Sequence, residues 1–333
     1  NARQNFCRQW QAECCMRVAS WSFASMWAAA VVALLPLLQT VRAQEVAECE
    51  ASATIIDMST PCSGGGSPVY NNLGGIGPNQ ADPEQIRYQG VAAYDGHTLD
   101  LTVTTTTPIA TEHSSSDYSV SNAARNGCSD DGNFGRINMR SPYTGGPTRE
   151  LLLTFTLVRT GTDTAVEVDL LYLSFLDLDS TGTLSAAERV HAGAPDGSTL
   201  TPYAAAYFAS ATELQTSNLG DNEVVFTSSM GGTSTDNPTH PDELDAGQLA
   251  RTLTLAYTNI TAVTLKVSIS GSADGYGRNF IFSGRSSLMS ACWPTSPPPP
   301  PFSPPPTSPP FSPPPPSRPP PFPPPPSPPP PSS

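Results

Sequence analysis

The chain has 333 residues, among them 38 prolines, and 26 of those prolines fall within 294–333. Acidic residues outnumber basic ones 29 to 16, the formal net charge is -13, and Lys266 is the single lysine. This excludes a nucleic-acid binder, which needs clustered Lys and Arg to displace counterions, and the Thr-, Ser-, Gly- and Val-rich middle of the chain argues for a β protein over a helical bundle.

At the N-terminus the apolar run SFASMWAAAVVALLPLL spans Ser22 to Leu38, with Arg3, Arg8 and Arg17 before it and Val41-Arg42-Ala43 after it. This predicts a secretory signal peptide over 1–43, cut after Ala43. The shortness of the run and Pro36 within it disfavour a membrane anchor, so the mature form is expected to have no membrane span. The stretch before the apolar core is long and opens on Asn1, as an incompletely recorded start would. Cleavage would remove four Arg and one Glu and take the formal charge from -13 to -16. It would leave four cysteines, Cys49, Cys62, Cys128 and Cys292. An even number in a secreted chain suggests two disulfides, and three pairings are possible. Joining Cys49 or Cys62 to Cys292, which ties the two ends together, is the preferred pairing.

Residues 44–85 read as an N-terminal extension or linker, with a Gly/Asn/Pro-rich loop from Gly64 to Ala81. From Ile86 to Trp293 short period-2 patterns recur between turn clusters. Strands are expected at Thr98–Thr105, Leu151–Leu157, Glu223–Thr227, Val263–Ile269 and Phe280–Ser283. Val166, Val168, Leu170 and Tyr172 also alternate as a strand would. Leu253, Leu255 and Tyr257 are expected to form the antiparallel neighbour of Val263–Ile269, across a Thr258–Thr261 hairpin. One short helix is expected over Asp242–Leu249, which opens with Pro and acids. The pattern predicts an all-β fold, an antiparallel β-sandwich of jelly-roll-like type. The tail, 294–333, repeats SPPPP at Ser296, Ser312 and Ser327. Consecutive prolines fix φ and donate no hydrogen bonds, so the tail is expected to be a polyproline II rod on the order of 110 Å long. Only Arg318 is charged in it, which favours a spacer over a cytosolic Pro-rich ligand.

The sharpest local motif runs from Asp177 to Glu188. Asp177, Asp179, Thr181, Ser185 and Glu188 occupy positions 1, 3, 5, 9 and 12 of an EF-hand-like loop, with Gly182 at 6 and the Thr183 carbonyl at 7. Oxygen ligands so spaced can wrap Ca²⁺, the one cofactor the sequence admits. The flanks do not look helical: a strand pattern precedes the loop, and Gly193, Pro195 and Gly197 follow it. The segment is therefore either a Ca²⁺ loop outside a true EF-hand or an acidic turn after a strand. Asn259-Ile260-Thr261 is a glycosylation sequon, whereas Pro238 disqualifies Asn237-Pro238-Thr239. No GxSxG, HExxH, P-loop or GxGxxG occurs, and no catalytic residue is expected. His97, His113, His191 and His240 read as surface residues, and Asp130-Asp131 as a turn pair.

Two resemblances emerge. IRYQGVAAYDGHTLDLTVT (Ile86–Thr104), NGCSDDGNFGRINM (Asn126–Met139), LYLSFLDLD (Leu171–Asp179) with Glu188 after it, DNPTHPDELDAGQ (Asp236–Gln248) and GRNFIFSG (Gly277–Gly284) resemble a domain of secreted proteins of unicellular algae. That resemblance brings no catalytic residues, and it implies that FLDLD ends a strand. The SPPPP tail resembles the hydroxyproline-rich glycoproteins of algal and plant walls, such as extensins and pherophorin-like rods. It implies hydroxylated, arabinosylated prolines and, for pherophorin-type chains, a further globular domain beyond the rod. Together they imply a secreted structural or adhesive glycoprotein of an algal cell wall or extracellular matrix, with wall polysaccharide or other matrix glycoproteins as partners. A calcium-dependent adhesin or lectin using 177–188 is the alternative, and an extracellular hydrolase of unrecognised type is the third reading.

Overall fold

The computed structural model of the chain describes residues 53–109, 118–143, 146–180, 186–194, 199–219, 222–233, 236–271 and 277–292. The expected signal peptide (1–43), Cys49 and the Pro-rich tail (294–333) lie outside them. In chain order the strands are β1 (Ala53–Thr54), β2 (Tyr70–Asn71), β3 (Gln85–Tyr94), β4 (His97–Thr105), β5 (Gly127–Cys128), β6 (Gly135–Arg140), β7 (Arg149–Arg159), β8 (Val168–Leu176), β9 (Ala186–Gly193), β10 (Ala205–Tyr207), β11 (Leu214–Leu219), β12 (Glu223–Ser228), β13 (Leu253–Ile260), β14 (Ala262–Gly271) and β15 (Gly277–Ser283). Two short helices accompany them, α1 (Ser59–Cys62) and α2 (Ala246–Ala250).

The strands form two sheets packed as a sandwich, as the alternation predicted. One has seven strands, in the order β10-β13-β8-β15-β6-β5, with β1 also on β8; the other has eight, in the order β11-β12-β9-β14-β7-β4-β3-β2. Among the described residues every strand pairing is antiparallel except β1 on β8. The inward rows are those read from the sequence. Val263, Leu265, Val267 and Ile269 of β14 and Leu151, Leu153, Phe155 and Leu157 of β7 are buried. They meet Leu171, Leu173 and Phe175 of β8 and Phe280 and Phe282 of β15 in one core. Edge-to-face rings stitch the sheets, Phe155 lying 5.2 Å from Phe282 and 6.4 Å from Phe175; such contacts add to area burial. β8 is covered on its outer side too, where Leu170 and Tyr172 pack with Ala256 and Met289. That second cover explains its unbroken apolar run.

Four expectations are corrected. β13 and β14 are not a hairpin: β13 pairs with β8 and β10, β14 with β7 and β9, and the chain passes from one sheet to the other at Thr261. Both strands bury a face in the same core from opposite sides, so alternation alone could not separate the two arrangements. Residues 53–85 are not a free linker. Ile56, Met58 and Leu73 are fully buried in the core, and β2 pairs with β3. The helix begins later than expected, at Ala246, because Asp245 caps it: its carboxylate accepts from Gln248 N, and the Gln248 side chain accepts from Asp245 N. This reciprocal pair satisfies the free N–H groups of the first turn. Finally, Cys62 pairs with Cys128, with 5.4 Å between Cα atoms, and so is not the partner of Cys292.

Candidate functional site

The cleft lies where β8 leaves its sheet. Asp177 follows Leu176 with φ +57°, which turns the chain aside. Leu178 N then donates to Arg251 O (3.1 Å), Glu188 N to Asp179 O (3.1 Å) and Ser180 N to Met230 O (2.9 Å). These bonds tie the backbone of 178–180 to its neighbours on three sides. Glu188 sits on β9 in the same inward register as Val190 and Ala192, and is buried. Arg278 enters from the head of β15 and lies between the two acids. Its Nε donates to Glu188 Oε1 (2.8 Å), and its Nη2 pairs with Asp179 Oδ1. The Ser228 hydroxyl holds the Asp179 carbonyl (2.6 Å). Gly232 must be glycine, because a Cβ there would collide with the Asp179 carboxylate.

Around this centre lies a cleft of about 330 Å³, also lined by Arg125, Asp130, Arg136, Thr233, Asn237 and Asn279. With its amide turned so that nitrogen faces these acceptors, the orientation that satisfies both, Asn237 donates to Asp177 Oδ2 and Thr233 O, each at 3.1 Å. Asn279 Oδ1 accepts from Asn138 Nδ2 (2.8 Å). At the mouth Arg136 pairs with Asp130 (3.1 Å), and Asn133 Nδ2 donates to Thr239 O (2.7 Å). The Cys62–Cys128 bond anchors the loop that carries Ser129, Asp130 and Asp131.

Asp177, Asp179 and Glu188 gather around the Arg278 guanidinium here. Burial, reinforced by the charge of Asp236 and opposed by Arg251 and Arg278, pushes Asp177 up to about 7. Burial and then the charge of Asp177 raise Glu188 well above the usual carboxylate range. The two acids therefore titrate as a coupled set, and the cluster keeps a proton near neutral pH.

Of the six expected Ca²⁺ ligands, the structure brings Asp177, Asp179 and Glu188 into this cleft; Thr181, Thr183 and Ser185 lie outside the described residues. A helix-loop-helix is not formed, since β8 precedes the segment and β9 carries Glu188. Arg278 instead stands as the cation between Asp179 and Glu188. Among the described residues, no three His, Cys, Asp or Glu side chains are grouped to hold a metal ion. Arg278 lies 90 residues from Glu188 and Asn237 49 residues away, so spacing within the motif could not reveal either; an arginine opening a strand in so acidic a chain was the only signal.

His191 corrects the surface reading given to it. Its Nδ1 contacts Glu223 Oε1 and its Nε2 lies 2.7 Å from Ser268 Oγ, with Lys266 Nζ 3.0 Å from Glu223 Oε1. Burial, and then Lys266, lower its affinity for a proton, while Glu223 opposes them. His97 is exposed as expected, His240 is half-buried, and His113 lies outside the described residues. Asn259 and Thr261 of the sequon are both exposed, Asn259 at φ +50°. No helix among the described residues is long and apolar enough to cross a membrane.

No family model matches the chain, and no curated protein matches it. Among solved structures, the N-terminal domain of the Streptococcus gordonii adhesin Sgo0707 is similar with 12% identity and a TM-score of 0.36, over 60% of this chain and 47% of that one. Glucan Binding Protein C of Streptococcus mutans is similar with 12% identity and a TM-score of 0.36, over 66% of this chain and 63% of that one. The chain thus spans less than two thirds of either.

Proposed function

We propose that the chain is a secreted, non-catalytic adhesive glycoprotein whose β-sandwich head holds a polysaccharide, or the glycan of another matrix protein, in the Arg278 cleft. The observation that carries this reading is the cleft itself. It is open and polar, and Asn237, Asn279, Arg136 and Arg278 are each held by a partner. Sugar hydroxyls are bound well by donors and acceptors that need no reordering. The Pro-rich repeats would then display the head on a stiff spacer in an algal wall or matrix. The non-catalytic part is supported at the second cluster. Ser268, His191 and Glu223 follow the order of a nucleophile, base and orienting acid. Ser268, however, is fully buried on β14, and that strand is paired along both edges. Fully buried there, its hydroxyl is closed to a polymeric substrate.

The test is a glycan array probed with the full chain. Binding to an algal wall polysaccharide is expected, with Asn237→Ala weakening it roughly tenfold, about 1.4 kcal/mol. Absence of any bound glycan would sink the reading. The convergence of Asp177, Asp179 and Glu188 favours a second reading, calcium-dependent adhesion. Because Arg278 already supplies their positive charge, millimolar Ca²⁺ is expected to leave Tm unchanged; a rise in Tm would put the calcium reading in its place. Asp177, with a carboxyl held near neutrality in a cleft, also has the character of a general acid. Polysaccharide turnover that vanishes in Asp177→Asn, with binding retained, would make the protein a hydrolase.

A further inference from the structure

We propose that Asn259 carries an N-linked glycan at the pole of the sandwich opposite the cleft. Asn259-Ile260-Thr261 is the sole Asn-X-Ser/Thr sequence, X other than Pro, in the chain. The structure places it where a glycan can stand. Asn259, next to last in β13, and Thr261, in the link that carries the chain from β13 in one sheet to β14 in the other, are both exposed. Asn259 has φ +50°, a left-handed conformation that asparagine tolerates better than most residues. Transfer of a glycan to a secreted chain reads the sequon, and the finished fold must then accommodate the product in solvent. An Asn on either inward face could not do so.

The position relative to the cleft follows from register. Ile260 pairs with Val168 and Leu253 with Phe175, so the link lies at the start of β8. Asp177 lies immediately beyond its other end. The nine residues of β8 separate the two by on the order of 30 Å at about 3.3 Å per residue. β14 likewise runs away from the link, and Gly277 and Arg278 of the cleft follow only beyond its far end. A glycan on Asn259 and a ligand in the cleft therefore do not compete for space. In the transfer, a C–N bond forms between the Asn259 amide nitrogen and the anomeric carbon of a lipid-pyrophosphate-linked oligosaccharide. The anomeric C–O bond breaks, the lipid pyrophosphate leaves with the electron pair, and the amide nitrogen gives up one proton.

The proposal rests on the secretory part of the function proposed above, so both are read in one experiment. The full chain is translated in the presence of microsomes and treated with protease. A protected product is expected to migrate as one slower band that an N-glycan-specific endoglycosidase collapses. Thr261→Ala is expected to abolish the slower band and Thr261→Ser to retain it; both substitutions fall on an exposed residue, and the readout does not require folding. A protected product of unshifted mobility, or a shift that survives Thr261→Ala, overturns the proposal. An unprotected product overturns the secretory reading and the proposal with it.

Discussion

Asp177 and Glu188 hold their protons more tightly in the folded chain than carboxyls do in water, and this sets how stability responds to pH. For a carboxyl whose folded pKa is raised, the folded state binds the extra proton. The stabilisation is fully present below the ordinary carboxylate range, near 4, and is lost as pH rises through the folded value, about 7 for Asp177. Stability is therefore expected to fall between about pH 4 and 7. Asp177→Asn should flatten that slope and add on the order of 2 kcal/mol at pH 8, allowing for partial exposure; urea unfolding across that range checks it. Arg278 responds in the opposite sense. Removing it leaves buried Asp179 without its counter-charge and Glu188 Oε1 without its donor, and Arg278→Met is expected to cost roughly 3–5 kcal/mol. A smaller loss would mean the acids protonate freely and the guanidinium is not their main partner. At this scale the sequence spoke unevenly. The spacing of Asp177, Asp179 and Glu188 flagged residues that do converge, yet ligand spacing cannot say whether a metal or an arginine occupies the centre. His191 looked polar and superficial because its neighbours Arg189 and Gly193 do. Its burial comes from Glu223 and Lys266 on other strands.

The disulfide shows what elements do for the cleft. Cys62 ends α1 and Cys128 ends β5, and the bond closes a sequence separation of 66 residues. Closing a loop of that length restricts the unfolded chain by about 4 kcal/mol in the chain-entropy model. Reduction, or Cys62→Ser with Cys128→Ser, is expected to lower stability by roughly 2–4 kcal/mol in urea unfolding. The loop following Cys128, which holds Asp130 against Arg136, should loosen first, seen as faster amide exchange at 129–132 than in β14. Protection lost equally everywhere would show that the bond serves the fold as a whole and not the cleft wall. Strands such as β4, β7, β12 and β14 were legible because each buries one alternating row. Their partners were not, because partner choice depends on which sheet a strand joins. The crossover at Thr261 is the clearest instance: a short polar link between two alternating strands is read as a hairpin unless the second sheet is known.

For the molecule as a whole, residues upstream of Ile86 complete both sheets and the core between them. β1 adds to β8 beside the end of β15, β2 edges the eight-stranded sheet, and Ile56, Met58 and Leu73 fill the core between. Composition hid this role: the Gly- and Pro-rich 64–81 segment has the look of a linker, yet Asn72 anchors it by accepting from Gly77 N (3.2 Å) and donating to Asp82 O (2.8 Å). A fragment of 86–293, the boundary suggested by strand patterning, would lose those three side chains and half of the disulfide. Emptying sites of that size costs about 2–5 kcal/mol each, and losing the disulfide about 2–4 more. The sum reaches the whole stability of an ordinary domain, about 5–15 kcal/mol. The 86–293 fragment is therefore expected to lack a cooperative thermal transition, while 44–293 should show a single one. A sharp transition in the shorter fragment would mean the upstream segment merely decorates a sandwich that folds without it, and would remove the disulfide's claim on the cleft.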